Sequence, residues 1–284
     1  MANYMNDIRD DEIRVIGSSS ERHKDNNKRW WWINAAFVFV IILVALFAGY
    51  LLMSDDKPTE TEEPIPTVTM TEADELTQTE PAYTEVCDTI VNDIELRIYH
   101  PHHAKASLMV GAYDKQDTAI VLIAQAADIR ADNGEIAGSF VLDGKVLAEG
   151  SSKEGFCAII GNQITVGVAK NSSLFEKAIN EGGSFFRQWS LVSNGVMIDD
   201  NPKGKSIRRA LCQRGDDVFV IESQDKESFH DFAQALADMK VQNAIYLVGS
   251  IAYGWAKDQN GNRIAFGVES TGPTQQNRSY IVWR

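Results

Sequence analysis

The sequence predicts an α+β domain, a mostly antiparallel mixed sheet with a few helices, preceded by one transmembrane helix and a disordered linker. Three observations lead there. Turn-forming dipeptides recur between short β-prone runs from Asn133 to Gly195, two amphipathic helical stretches break into the later part, and one uncharged apolar run precedes everything else. Strands grouped in hairpins, with helices inserted rather than regularly alternating, make an antiparallel sheet.

The chain begins with a polar stretch, residues 1–32, that ends in Arg22, Lys24, Lys28, Arg29 and the triplet Trp30-Trp31-Trp32. Ala35–Met53 is free of charge and long enough to span about 28 Å as a helix, close to the hydrocarbon thickness of a bilayer. Residues 33–53 are therefore expected to be a signal anchor, with the Trp triplet and Tyr50 at its interfaces. Basic residues precede it and Asp55-Asp56 follow, which puts the N-terminal tail in the cytoplasm and the remainder in the periplasm or another extracytoplasmic space. A core helix and a cleaved export signal are the rival readings. The run starts late and has no small-x-small exit, which favours the anchor. Residues 54–82 are acidic and Thr-rich, with Pro58, Pro64, Pro66 and Pro81. Such a segment buries too little apolar surface to fold and is expected to be a tether reaching roughly 30 Å as a coil.

The folded part is expected over residues 83–284. Ile94–Tyr99 alternates apolar and polar residues as a half-buried strand does, and Ala119–Ala124 is continuously apolar, as a central strand is. Asp143-Gly144 joins Gly138–Leu142 to Val146–Ala148, and Gly161-Asn162 joins Cys157–Ile160 to Ile164–Val166, as hairpins. Asn133-Gly134 and Asn194-Gly195 mark two further turns. Ser172–Asn180 reads as a short helix stopped by Gly182-Gly183. Ser228–Met239 reads as a better one: Ser228 and Asp231 approximate a capping box, and Phe229, Phe232, Ala233, Leu236 and Met239 share a face. From Arg208 to Tyr253 the order is strand, hairpin, strand, helix, strand.

Charge and motifs exclude several functions. The formal net charge is −13, and no basic cluster beyond Lys203–Arg209 follows residue 54, so nucleic acid is not an expected partner. No P-loop, dinucleotide fingerprint, GxSxG or HExxH is present, and no cofactor is expected. Cys87, Cys157 and Cys212 lack metal spacing. Cys157 and Cys212 lie on expected strands of an exported domain, which allows a disulfide or two buried thiols. His100, His102 and His103 suggest metal ligands, but no acid or further His follows at a confirming spacing, so no metal site is expected.

The candidate site residues come from strand ends. Adjacent strand residues face opposite ways, so only one of Arg208 and Arg209 can enter a given pocket; there a guanidinium suits a phosphate or carboxylate. Glu222, at the end of Val218–Ile221, is expected on a hairpin neighbour and could face the same cavity. Asp128, following the apolar strand, is a catalytic candidate by position. Gly249-Ser250 could offer backbone N–H groups to an anion, with Tyr253 and Trp255 near enough to stack on a sugar. For each the structural alternative is plain: a surface ion pair, a solvated strand end, an aromatic edge of the core.

Taken together and in order, several segments from about residue 94 to 284 resemble the phosphodiester glycosidase family, the uncovering-enzyme-like domains. Gln125–Gly144 looks like the family's Asn-Gly-x-Phe-Phe segment and hairpin, Phe186–Gly195 like its Gln-x-x-Pro-Leu strand, and Arg208-Arg209-Ala210 like its Arg-Thr-Ala. Val220–Ser223 looks like its Val-Asp-Gly, and Tyr246–Ser250 falls where it has Asn-Leu-Asp-Gly-Gly-Gly-Ser. The resemblance implies a membrane-anchored hydrolase of sugar-1-phosphodiesters, with Arg208, Glu222 and Asp128 catalytic and Gln188, Ser250 and Tyr253 holding the sugar. The chain departs from the pattern at Val248 and Tyr246, which stand where the family has its acid and its Asn. A phosphate leaves as a stable anion, so cleavage with one carboxylate is conceivable chemistry. The alternative is a catalytically inactive member, a tethered module binding glycan or protein.

Overall fold

Among the described residues, antiparallel strand pairs organise the chain from residue 83 onward. The computed structural model describes residues 80–150, 153–199, 202–269 and 276–284. The expected cytoplasmic tail, the signal anchor at 33–53 and almost all of the linker at 54–82 lie outside the described residues. Among the described residues no helix is long and apolar enough to cross a membrane.

The first hairpin joins β1 (Tyr83–Val91) to β2 (Ile94–His102) through Asn92-Asp93, both at positive φ. Asn and Asp tolerate the left-handed region best among residues with a side chain, and two such residues in succession fit a tight hairpin turn. β2 pairs with β13 (Asp217–Glu227), β13 with β12 (Ser206–Arg214), and β12 with β14 (Asn243–Leu247). β10 (Ser190–Ser193) and β11 (Val196–Met197) complete this sheet, whose order is β1-β2-β13-β12-β14-β10-β11.

A second sheet sets β4 (Leu122–Gln125), the expected apolar strand, between β15 (Gly254–Lys257) and β17 (Ser279–Trp283), with β16 (Arg263–Phe266) and β3 (Ala106–Val110) at its edges. β4 is buried throughout, as its continuous apolar run requires. The third sheet contains both expected hairpins. β5 (Phe140–Leu142) pairs with β6 (Lys145–Ala148), β7 (Gly155–Ile160) pairs with β8 (Gln163–Val168), and β9 (Ser184–Gln188) lies between the two pairs.

Two helices among the described residues pack on these sheets. α1 (Ser173–Asn180) is capped by Ser172 and lies over the third sheet. α2 (Phe229–Asp238) buries Phe229, Phe232, Ala233 and Leu236 against the seven-stranded sheet, the face that the i, i+3, i+4, i+7 spacing marks. Full burial of a Phe or Leu contributes about 1.5–3 kcal/mol, so this stripe fixes the helix to the sheet. Its cap departs from the expected box. Ser228 Oγ accepts from Asp231 N at 3.0 Å and donates to the Asp231 carboxylate at 2.7 Å.

Each face of the seven-stranded sheet has its own core. Ala210, Cys212 and Tyr246 point toward α2, whereas Leu211, Ile245 and Leu247 enter the larger core shared with the other two sheets. That division settles the cysteines. Cys157 lies in the larger core and Cys212 in the helix-side core, so the possible disulfide between them does not form and both remain buried free thiols.

Candidate ligand-binding site

The corner after β14 is organised by Arg209. Its Cα partners on the flanking strands are Glu222 and Leu247, so all three share the inner face. The register runs unbroken from Arg209–Glu222 to Arg214–Asp217, so alternation puts Arg209 on the side of Leu211 and Arg208 on the side of Ala210. Beyond Arg209 the register shifts, and the Arg208 N–H donates to Ser223 Oγ at 2.9 Å. The Arg209 guanidinium is fully buried; Nε donates to Glu222 Oε2 at 2.8 Å, and Nη2 donates to the same oxygen. Nη1 donates to Val248 O at 2.7 Å and Ala252 O at 3.2 Å, and the group lies 4.1 Å above the Phe266 ring.

Arg208 faces the other way. It donates to Glu227 O and Gly204 O and stacks on Phe229 at 3.8 Å, on the helix side. The structure therefore pairs Glu222 with Arg209 and leaves Arg208 outside that corner. The backbone of the Gly-Ser turn is engaged as well. Gly249 N–H donates to Tyr246 Oη at 3.1 Å, and Ser250 N–H donates to Ile207 O at 3.0 Å. A Cβ on residue 249 would run into Ile207 O, which is the reason for glycine there. Ser250 itself is exposed at φ 55°.

A second polar group adjoins this corner through the backbone, since Val248 N–H donates to Gln125 O at 3.2 Å and Tyr246 N–H donates to Trp189 O at 2.8 Å. Here Asp128 and Gln188, both singled out from the sequence, meet Lys153. The Lys153 ammonium donates to Asp128 Oδ2 and, at 2.7 Å, to Gln188 Oε1. Gln188 Nε2 donates to Asp128 Oδ2 at 3.2 Å and Ala126 O at 3.4 Å, and Gln188 Oε1 also accepts from Trp189 N at 3.0 Å. An amide side chain has two donors and two lone pairs, and all four are engaged. Gln188 thus positions Asp128 and Lys153 and has no spare capacity for a sugar.

Lys153 is 6% exposed and Asp128 33%, so the cluster reaches solvent through the carboxylate. The Lys153 ammonium lies 5.5 Å from the centre of the half-buried Trp189 ring. An indole face beside a carboxylate and an ammonium offers stacking, hydrogen-bond acceptance and a positive charge together. Tyr253 joins a different group, the aromatic cluster with Tyr113, Tyr280 and Trp255. Burial, reinforced by the Glu269 charge, pushes its phenol pKa up. Lys153 and Trp189 were not singled out from the sequence: Lys153 sits in a connection with no periodic pattern. One group among the described residues has metal-ligand proximity, Glu85 with His100 and His102, and it belongs to the first hairpin.

Fold and site together define an antiparallel α+β domain with an Asp–Lys–Gln–Trp cluster beside a neutralised strand-end corner. No protein-family model matches the sequence, and no curated protein matches it. Among solved structures, the zebrafish N-acetylglucosamine-1-phosphodiester alpha-N-acetylglucosaminidase catalytic domain, auto-inhibited by its pro-peptide, aligns at 12% identity and a TM-score of 0.49, covering 71% of this chain and 81% of that one. A hypothetical protein from Synechocystis aligns at 10% identity and a TM-score of 0.49, covering 73% of this chain and 63% of its own length. At these identities the likeness concerns the course of the backbone alone.

Proposed function

We propose that the domain recognises a glycan or a glycosyl phosphodiester at the Asp128–Lys153–Trp189 cluster without cleaving it, and that the chain displays it outside the cytoplasmic membrane on the anchor at 33–53 and the linker at 54–82. The observation that carries this reading is the state of the Arg209 corner. Its guanidinium is buried and bonded to Glu222, Val248 O and Ala252 O, and the N–H groups of Gly249 and Ser250 are bonded internally. Val248 supplies no acid. Glycosidic cleavage ordinarily needs two carboxyl groups flanking the bond. The groups that remain for a ligand are the part-exposed Asp128 carboxylate, backed by the buried Lys153 ammonium, and the half-buried Trp189. That set suits a sugar ring with hydroxyls to donate and a negative charge nearby.

The second reading is the hydrolase that the ordered resemblance implies, and the part-exposed Asp128 carboxylate is its one structural support. The two are separated by titrating the full chain with a panel of glycosyl phosphodiesters while following Trp fluorescence and released sugar. The expected result is saturable quenching that Trp189→Ala weakens at least tenfold, with no sugar released. Turnover abolished by Asp128→Asn establishes the hydrolase instead. Absence of any fluorescence change across the panel removes the recognition site.

A further inference from the structure

The first hairpin places side chains together that the sequence keeps apart. In the β1–β2 register Glu85 lies opposite His100 and Tyr83 opposite His102. Directly opposed residues of an antiparallel pair share a face, and so do residues two apart on one strand. His100, His102 and Glu85 therefore project from the same side of the sheet. The acid missing from the linear spacing around the histidines is supplied by the neighbouring strand.

The distances are those of a ligand set. His102 Nε2 and Glu85 Oε2 are 3.1 Å apart, and one ligand atom from each of the three residues falls within 4.8 Å of the others. Two ligands bound at about 2.0–2.1 Å and separated by a tetrahedral angle stand about 3.3 Å apart. The His102–Glu85 edge is close to that value. A fourth oxygen is near: Asp217 Oδ1, on β13, lies 3.8 Å from His100 Nε2.

The rings are also held in place. Tyr83 stacks on His102 with centroids 4.9 Å apart, Phe219 packs against His100 at 5.7 Å, and the two imidazoles are 4.5 Å apart. Such packing around imidazole ligands fixes their orientation before a metal arrives.

We propose that Glu85, His100 and His102 bind one divalent transition-metal ion, with Asp217 as the fourth ligand. Two imidazoles with carboxylates suit zinc, and copper(II) and nickel(II) as well, over calcium or magnesium, which take all-oxygen sets. The site does not depend on the glycan reading, since it shares no residue with the Asp128 cluster.

The test uses the full chain, stripped of metal and titrated with Zn2+ against a chromophoric chelator, with Co2+ as a second probe read by its visible d–d absorption. One equivalent of Zn2+ is expected to bind. Affinity should fall at least tenfold in His102→Asn and in the exposed-site variant Glu85→Gln, with the cobalt spectrum lost in both. His103→Ala and Cys87→Ser should bind as the parent does, and excess Ca2+ or Mg2+ should not compete. Circular dichroism confirms that each variant is folded; the exposed Glu85→Gln keeps the test decisive if His102→Asn is not. Absence of stoichiometric Zn2+ binding, or binding that survives both substitutions, overturns the proposal.

Discussion

Arg209→Met is the substitution that most directly tests how the corner is built. The Arg209–Glu222 pair is almost wholly out of water, with side-chain exposures of 0% and 9%. Removing one partner of such a pair leaves an uncompensated buried charge and costs about 3–5 kcal/mol. The Val248 and Ala252 carbonyls also lose their donor, at about 1 kcal/mol each where nothing replaces it. The sum is about 5–7 kcal/mol, which for a domain of this size lowers Tm by roughly 10–25 °C. The double variant Arg209→Met/Glu222→Leu removes the stranded carboxylate and leaves only the two carbonyls, about 2 kcal/mol, so its Tm should recover to within roughly 4–8 °C of the parent. Thermal melts of the parent, both single variants and the double followed by circular dichroism close the cycle. A single variant within 3 °C of the parent, at roughly 1 kcal/mol or less, or a double whose loss equals the sum of the singles, refutes a buried, coupled pair.

Gly249→Ala should destabilise the domain by about 1–3 kcal/mol, since the added methyl meets the Ile207 carbonyl; denaturant midpoints measure it. Of the three cysteines only Cys87 is exposed, and burial pushes the Cys157 and Cys212 thiols far up, so a thiol reagent should titrate one group in the native chain and three in denaturant. His100 is faced by Glu85, Asp217, His102 and Arg214, and burial holds its folded pKa below the unfolded value. The unfolded chain takes up that proton first, at about pH 6.5, so acidification through this point removes stability. In chelator, His100→Gln should flatten the stability profile between pH 7 and 5; an unchanged slope counts against the shift. Val248→Asp restores an acid at the position where the resemblance implies one, and sugar release from a glycosyl phosphodiester gained by that variant alone would show that the parent lacks only this group.

Much of the fold was legible because local rules governed it. The helix face Phe229, Phe232, Ala233, Leu236 and the hairpins at Asp143-Gly144 and Gly161-Asn162 follow from period and turn chemistry, which act within a few residues. The strands β3, β15, β16 and β17 were not foreseen; they are short, and β17 is buried on both sides, so no alternation marks it. Of the site, Asp128 and Glu222 were legible as polar residues at strand ends, and Gln188 through the ordered resemblance. Their partners were not. Lys153 reaches Asp128 from a separate connection, and Arg209 rather than Arg208 meets Glu222 because the register of the β12–β13 pair sets the two opposite each other.

By itself the sequence determined the α+β class, the two amphipathic helices, the hairpin turns and the expectation of an anchored, acidic-tethered domain, because each depends on neighbours along the chain. Only the tertiary structure decided which arginine turns inward, that the two buried cysteines lie in different cores, and that Glu85 stands beside His100 and His102. Those outcomes depend on strand register and sheet order, which bring together residues far apart in sequence and leave no periodic trace in it.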